Sequence, residues 1–250
     1  MNYTWDWSIY LASAPDGTGT YLDSLYLGLK WTLAVAGSSW IIALVLGTIV
    51  GTVRTGPNKI AVRFGNAYIE LFRNIPLLVQ MFLWYFVIPE MLPKVIGEAI
   101  KTSPNNAFIT AVLSLGFFTS ARVAVQVSAG INALPRGQRM AGTALGMTLP
   151  QTYRYVLLPM AFRIIIPSLT NEVAAIIKNS SVASAIYVIE LFQSARSMQE
   201  FTFKTFEAYS AVTIIYLLVS VIAILISNWL ERFTAVPGFI TTGSAKTGGH

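Results

Sequence analysis

The residues with the clearest chemical potential are polar side chains inside stretches that are otherwise apolar. Arg122 and Gln126 are four residues apart, and Thr119 precedes Arg122 by three, so a helix would place all three on one face. Arginine can present two parallel N–H groups to one carboxylate. This stripe is therefore a candidate binding site for an anionic ligand, in which Arg122 would hold a carboxylate.

A second polar row lies further along the chain. Asn171 and Lys178 are seven residues apart and would face one way on a helix, while Glu172 begins an adjacent row. We therefore add Asn171 and Lys178 to the candidates for substrate binding. Glu172 is interpreted as a structural or gating charge.

Glu70 and Arg73 form a third polar group. They are three residues apart, which is close enough on a helix for the two charges to neutralise one another. An ionised side chain near the centre of a bilayer costs about 2.5–3.5 kcal/mol on insertion scales, so such charges need partners or a watery cavity. Structural or gating roles are predicted for both residues. Two interpretations of Arg122 stay open: it could bind substrate, or it could pair with Glu172 or Glu70 and hold helices together.

The composition excludes most enzyme chemistry. The chain has 250 residues, of which 54% are hydrophobic and 11% charged, and it contains no Cys and a single His at its last position. Thiol catalysis, disulfides, Cys or His metal sites and a Ser-His triad are excluded together. The net charge of +6 is spread over short segments between apolar runs, so no nucleic-acid partner is expected.

Five apolar stretches are long enough to cross a membrane, because about 20 helical residues span a hydrocarbon core about 30 Å thick. Residues 31–53 and 208–230 contain no charged side chain. The polar groups described above lie in the other three stretches, 67–88, 105–128 and 164–187. The sequence therefore predicts an all-α, polytopic membrane protein that forms one domain over residues 1–250.

The distribution of Lys and Arg predicts the orientation. Basic residues concentrate in the cytoplasmic connections of membrane proteins. Nine of them fall in the connections that alternating spans would place on one side: Arg54, Lys59, Arg63, Arg136, Arg139, Arg154, Arg163, Arg232 and Lys246. The N-terminus is therefore predicted outside and the C-terminus inside. The early aromatic residues Tyr3, Trp5, Trp7 and Tyr10 would then be interfacial anchors at the outer face.

The long connection over 132–163 predicts a short helix on the cytoplasmic face, since it is too polar to span the membrane and too ordered in composition for a flexible linker. From Met140 it reads Met-Ala-Gly, three residues, Gly146, nine residues, Val156, one residue, Leu-Pro159. This pattern resembles the "EAA" loop of ATP-binding-cassette (ABC) importer permeases. Met140 and Gly142 stand where that loop has its Glu and its second Ala.

Two further segments resemble the polar amino-acid permeases of the same superfamily. Residues 70–80 read Glu-Leu-Phe-Arg-Asn-Ile-Pro-Leu-Leu-Val-Gln, and residues 178–181 read Lys-Asn-Ser-Ser, followed by Glu190-Leu191. The surroundings of Trp84-Tyr85 and of Arg122 resemble those of the glutamate/aspartate importers in particular. Val125 and Ser128 stand where the wider family has Glu and Arg.

The resemblance implies a type I ABC importer permease in the bacterial cytoplasmic (inner) membrane, which moves a polar amino acid by alternating access. Glutamate and aspartate are the implied substrates, and glutamine or asparagine the alternative. The implied partners, besides membrane lipid, are a second homologous permease subunit, a cytoplasmic ABC ATPase dimer and an extracytoplasmic amino-acid-binding protein. The implied ATPase-coupling residues are Ala141, Gly142, Ala144, Leu145, Gly146 and Pro159.

ATP is expected on the partner ATPase, because the chain contains no GxxxxGK[ST] phosphate-binding loop. We therefore expect a transport subunit with no enzymatic activity and no cofactor bound directly. A channel and a secondary transporter are the alternative classes. A secondary transporter would need discontinuous helices and usually an inverted repeat, which the sequence does not reveal. Copurification of an ATPase would separate the importer from a channel.

Overall fold

The protein is helical in a computed structural model that describes residues 3–15, 17 and 19–234. Four helical stretches in this part of the chain are long and apolar enough to cross a membrane, and a bent pair of helices makes a fifth. These observations confirm the predicted all-α, polytopic class. The helices are α1 Tyr21–Val53, α2 Lys59–Asn74, α3 Leu77–Phe82, α4 Ile88–Met91, α5 Lys94–Thr102, α6 Asn106–Ala133, α7 Arg136–Ala144, α8 Leu149–Thr152, α9 Leu158–Asn179, α10 Leu191–Thr202 and α11 Thr205–Thr234.

The long helices extend beyond the apolar runs that predict them. α1 begins at Tyr21 instead of residue 31, because Thr20 and Asp23 form a capping box in which each side chain accepts from the other residue's backbone N–H. α9 ends at Asn179 and continues as a 3-10 turn over Ser180–Ile186. A cap fixes where a helix begins, whereas hydropathy only marks the part suited to the hydrocarbon core.

Helices α1 and α6 form the most extensive contact of the bundle, and glycine makes that contact possible. A Cβ atom on Gly47 would come within 2.6 Å of the Val123 side chain. A Cβ atom on Gly51 would come within 2.7 Å of both the carbonyl oxygen of Ala124 and the Cβ of Val127. Small residues allow helix backbones in a membrane to approach closely. α6 also packs against α2 and α9, so it lies at the centre of the fold.

The predicted single span over 67–88 is instead a pair of helices that meet at 101°. Pro76 causes the break: it disfavours helical geometry at Ile75, whose backbone is extended. The amide of Gln80 donates to the carbonyl oxygens of Phe72 and Ile75 at 2.8 and 2.9 Å, which satisfies acceptors that the end of α2 leaves free. The chain therefore contains a discontinuous helix pair that the continuous apolar run concealed.

Two wide helical turns share a sequence feature. The π-helical turns Leu83–Val87 and Tyr153–Leu157 each lead into a proline two residues later, Pro89 and Pro159. A proline ring clashes with the carbonyl four residues earlier in a regular α-helix. Widening the preceding turn is one way to relieve that clash, and such bulges interrupt α-helices without ending them.

The connection over 132–163 contains the short helix that the sequence predicts, α7, followed by α8, which leads into α9. The backbone N–H of Met147 donates to Gly142 at 3.0 Å, and Gly146 has a left-handed φ of 73°. Both are features of a glycine-terminated helix. Lys246 and the Arg136 side chain lie outside the described parts of the chain, and the orientation relative to the membrane stays a prediction.

Candidate functional site

A polar cavity of about 460 Å³ lies among helices α2, α6 and α9, in the membrane-spanning part of the bundle. This volume is in the range of sites that hold small molecules. One residue of α2, four of α6 and one of α9 line it: Arg73, Phe118, Arg122, Val125, Gln126 and Glu172. The predicted stripe on α6 thus supplies two of the four polar groups in the cavity wall.

Arg122 and Glu172 form an ion pair across the cavity wall. The Nε atom of Arg122 lies 2.9 Å from Glu172 Oε2, and it donates to Oε1 at 3.2 Å. The Gln126 amide donates to the same Oε1 atom at 3.0 Å. The Glu172 side chain is only 7% exposed, so its charge depends on these two donors. The sequence left open whether Arg122 pairs with Glu172 or with Glu70, and in the structure it pairs with Glu172.

The ion pair leaves much of the arginine free. The Arg122 side chain is 43% exposed, and its two terminal nitrogens have no hydrogen-bond partner among the described residues. The side-chain oxygen Oε1 of Gln126 is buried and also has no hydrogen-bond partner among the described residues. An unsatisfied buried acceptor is costly. The exposed nitrogens of Arg122 are therefore donors whose partners a ligand in the cavity could supply.

Arg73 lies in the same cavity wall and does not form the predicted pair with Glu70. No ion pair joins the two within the described residues, although they are three apart on α2. The reason is the direction of the arginine side chain, which lines the cavity with α6 and α9 instead of lying along α2. The expected neutralisation within α2 is thus corrected, and Glu70 is exposed outside the cavity lining.

The other three candidates lie outside the lining. Thr119 is 2% exposed and packed inside the bundle, while Asn171 and Lys178 are exposed on α9. The helical spacing of each residue is as predicted, but none of the three side chains lines the cavity with Arg122. Their part in substrate binding stays a prediction.

Val125 and Ser128, two of the positions at which the sequence differs from the pattern that it resembles, have defined surroundings. Val125 forms an apolar part of the cavity wall. Ser128 accepts a hydrogen bond at 2.9 Å from Arg54 Nη1, and Arg54 Nε donates to Asn66 at 2.7 Å. A guanidinium from the end of α1 therefore lies beside Ser128. In the sequence Arg54 contributes only to the count of basic residues that predicts the topology, because nothing in local spacing links it to α6.

The predicted coupling segment presents an exposed face. Met140 and Leu145 are 69% and 77% exposed, and Ala141, Ala144 and Gly146 are exposed beside them. Gly142 faces the other way: a Cβ atom there would lie 2.8 Å from the Thr152 side chain, so only glycine lets α7 pack on α8. Pro159 lies in the first turn of α9.

Arg139 connects this segment to the end of α1, a contact that local sequence spacing does not indicate. Its Nη2 atom donates to the carbonyl oxygen of Thr55 at 3.1 Å and to the Tyr153 hydroxyl, which itself donates to Thr55 at 2.8 Å. Helix α7, the wide turn before α9 and the end of α1 are therefore joined by one polar cluster. Displacement of α7 would act directly on two spanning helices.

Comparisons with known proteins agree with this architecture. Residues 43–236 match the family described as binding-protein-dependent transport system inner membrane component. The chain is 43% identical to the glutamate/aspartate import permease protein GltJ of Escherichia coli (strain K12), over 95% of this chain and 98% of GltJ. It is 29% identical to the glutamate/aspartate import permease protein GltK of Escherichia coli O157:H7, over 93% of this chain and all of GltK.

A solved structure shares the fold. The crystal structure of an amino acid ABC transporter with histidines superposes with a TM-score of 0.72 at 30% identity, covering 85% of this chain and 95% of that one. The chain therefore belongs to the family of inner-membrane components of binding-protein-dependent transport systems. It is a multi-pass inner-membrane protein with the type I ABC importer permease fold, which confirms the resemblance seen in the sequence.

Proposed function

We propose that this chain is a permease subunit of an ATP-driven importer of acidic amino acids, glutamate and aspartate. The observation that carries the proposal is the cavity at Arg122, where a guanidinium whose terminal nitrogens have no partner among the described residues faces a space large enough for an amino acid. Bidentate binding of carboxylate is the interaction that arginine favours. The 43% identity to GltJ, which is named for glutamate/aspartate import, supports the same substrate class.

The partners follow from the architecture and the relatives. A second, homologous permease would complete the translocation path, as the similarity of this chain to both GltJ and GltK suggests. The exposed face of α7 would bind an ATPase dimer, to which ATP would bind, since this chain has no phosphate-binding loop. An extracytoplasmic amino-acid-binding protein would deliver the substrate, with the N-terminus outside and the C-terminus inside.

The coupling path would run from α7 to the spanning helices. ATP binding would displace the exposed residues Ala141 to Gly146, and Arg139 would transmit the displacement to the end of α1 and to the turn before α9. Alternating access would result as these helices tilt against their neighbours. This chain would move substrate while the partner hydrolyses ATP.

One observation favours a second candidate substrate. Because Glu172 already neutralises Arg122, the pair together carries no net charge and could accept the α-carboxylate and α-ammonium of a neutral amino acid. Glutamine or asparagine is therefore the alternative substrate. A channel or a secondary transporter would use the same cavity without ATP.

Uptake into membrane vesicles tests the proposal. The complex of this chain with its copurifying partners is reconstituted, and labelled glutamate and aspartate are supplied with the binding protein, with and without internal ATP. Accumulation that requires both ATP and the binding protein is the expected result. Equilibration without ATP would point to a channel or facilitator and refute the importer. Accumulation of glutamine but not glutamate would favour the alternative substrate.

A further inference from the structure

An apolar groove of about 640 Å³ lies between the end of α1 and the exposed face of α2. Its wall includes Ile49 and Val53 of α1 and Phe64, Ala67 and Leu71 of α2, all of which are exposed. The groove shares no lining residue with the polar cavity between α2, α6 and α9. It therefore opens away from the cavity proposed for the substrate.

Two basic residues lie at one end of this α1–α2 groove. Lys59 and Arg63 are four residues apart at the start of α2, and they line a second space of about 440 Å³ that shares Phe64 and Ala67 with the groove. Both are exposed, and neither forms an ion pair among the described residues. Arg54, which is close to them in sequence, already donates to two side chains. Two cations that no carboxylate of the described chain neutralises thus adjoin an apolar surface.

We propose that the α1–α2 groove binds an anionic phospholipid. One acyl chain lies along the groove, and the headgroup phosphate lies between Lys59 and Arg63. The occupant is a lipid and not a free anion, because the basic residues and the apolar wall form one continuous site. An amino acid does not fit this chemistry, since the groove offers it no acidic or amide side chain.

The length of the groove suits an acyl chain. From Ala61 to Leu71, helix α2 rises about 15 Å, at 1.5 Å per residue. The hydrocarbon of one leaflet has a similar thickness, half of a core of about 30 Å. Ile60 and Phe64, beside the basic pair, are 70% and 74% exposed. A lipid chain in the groove covers apolar surface that the described chain leaves open.

The position of the basic pair suits an anionic headgroup. Arg139 of α7 donates to the carbonyl oxygen of Thr55, so the connection before Lys59 lies on the same side as the predicted ATPase-coupling segment. The cytoplasmic leaflet has a negative surface potential, and basic pockets between spanning helices on this side bind anionic headgroups. Arginine also presents a fork of N–H groups that matches phosphate. A zwitterionic headgroup is a poorer partner, because its own cation already neutralises the phosphate.

Photocrosslinking in nanodiscs tests the proposal. The purified complex is reconstituted in phosphatidylcholine that contains a small fraction of phosphatidylglycerol with a diazirine in one acyl chain. Peptide mapping locates the crosslinks, and phosphatidylcholine with the same diazirine chain is the matched probe. We expect phosphatidylglycerol to crosslink to residues 49–53 and 60–71 several-fold more than the matched probe. Unlabelled phosphatidylglycerol should compete, and inorganic phosphate should not.

Substitution of the basic residues tests the headgroup contact. The probe is kept far below saturation, where the yield of crosslink follows the affinity. Lys59→Gln and Arg63→Gln should each lower the yield about fivefold, equivalent to about 1 kcal/mol for one charge near the membrane surface. Arg63→Lys keeps the charge and should retain most of the yield. The control Arg154→Gln removes an exposed arginine outside the groove and should leave the yield unchanged.

A bulky substitution tests the chain contact while both charges stay in place. Ala67→Trp fills the space that the groove and the basic pocket share and should abolish the crosslinks. Gly37→Trp adds the same ring to α1 where a Cβ meets no atom within 4 Å, and it should leave them unchanged. This pair of variants keeps the proposal testable if a charge variant fails to assemble.

Several results would overturn the proposal. Equal yields with the two lipid probes, or unchanged yields in both charge variants, would show that no anionic headgroup is recognised. Competition by inorganic phosphate would indicate an anion site that needs no lipid. An assembled complex without crosslinks in the groove would indicate that another subunit covers it. None of these measurements uses substrate or ATP, so they are independent of the function proposed above.

Discussion

The ion pair between Arg122 and Glu172 allows its structural role to be separated from its role in binding. Breaking a fully buried pair typically costs about 3–5 kcal/mol, whereas exposed pairs contribute at most about 1 kcal/mol. Here Glu172 is 7% exposed and Arg122 is 43% exposed, so the two single variants should differ. Arg122→Gln leaves a buried carboxylate with Gln126 as its donor and should cost about 2 kcal/mol. Glu172→Gln leaves an arginine that faces the cavity and should cost about 1 kcal/mol.

Thermal unfolding of the purified complex, followed by intrinsic tryptophan fluorescence, measures these costs. About 1 kcal/mol corresponds to about 2–4 °C for a chain of this size. The double variant Arg122→Gln, Glu172→Gln removes both charges of the pair together, so it should be more stable than the sum of the single effects predicts. Its glutamate uptake should nevertheless be lost, because the carboxylate-binding guanidinium is absent. A stable double variant that imports glutamate would show that the pair only holds helices together, and additive destabilisation would show that the two residues do not interact.

Three further predictions concern other parts of the chain. Gly146→Val forces a β-branched residue into the left-handed backbone region, which costs about 1–2 kcal/mol, and should abolish ATP-coupled uptake while membrane insertion stays normal. The control Gly137→Val, in open space on α7, should leave uptake intact. Uptake and ATPase activity measured in the same vesicles test this prediction. Gly51→Leu should overpack the contact with α6, destabilise the complex by about 1–3 kcal/mol and lower the yield of folded complex. The control Gly37→Leu, with no atom within 4 Å of its added Cβ, should have no effect in the same thermal assay. Burial and a hydrogen bond to a neighbouring carboxylate raise the pKa of the Tyr3 hydroxyl to about 12. This hydrogen bond should therefore be intact below the ordinary tyrosine pKa near 10 and be lost as the pH rises through 12. A change in tryptophan fluorescence well below pH 10 would contradict this prediction.

The spanning helices could be predicted where the apolar runs are free of charge. The runs at 31–53 and 208–230 lie inside α1 and α11, since a continuous hydrophobic stretch of that length has few other stable arrangements. The prediction from hydropathy alone missed the bend at Pro76, because a hydropathy window averages across a proline that disfavours helical geometry at the residue before it. Hydropathy reports what surrounds a segment and contains no information about its direction.

The candidate site was predictable only within each helix. Helical spacing correctly groups Arg122 with Gln126, and both line the cavity. The same criterion selects Asn171 and Lys178, which lie elsewhere. Periodicity shows which residues share a face, but not which neighbour that face meets. The contribution of Arg73 depends on how α2 packs against α6 and α9, and it could be recognised only in three dimensions.

The wide turn at Tyr153–Leu157 also determines how the two ends of one long helical stretch are aligned. The backbone N–H of Leu158 donates to the carbonyl oxygen of Tyr153, five residues earlier, so the turn contains one residue more than a turn of α-helix. Each residue of an α-helix turns the chain by about 100°. Deleting one residue here would rotate Glu172 by about that angle relative to α8, and the carboxylate would leave Arg122 while Tyr153 kept its contact with Arg139. A single peptide unit thus sets the angular phase between α8 and the Glu172 carboxylate.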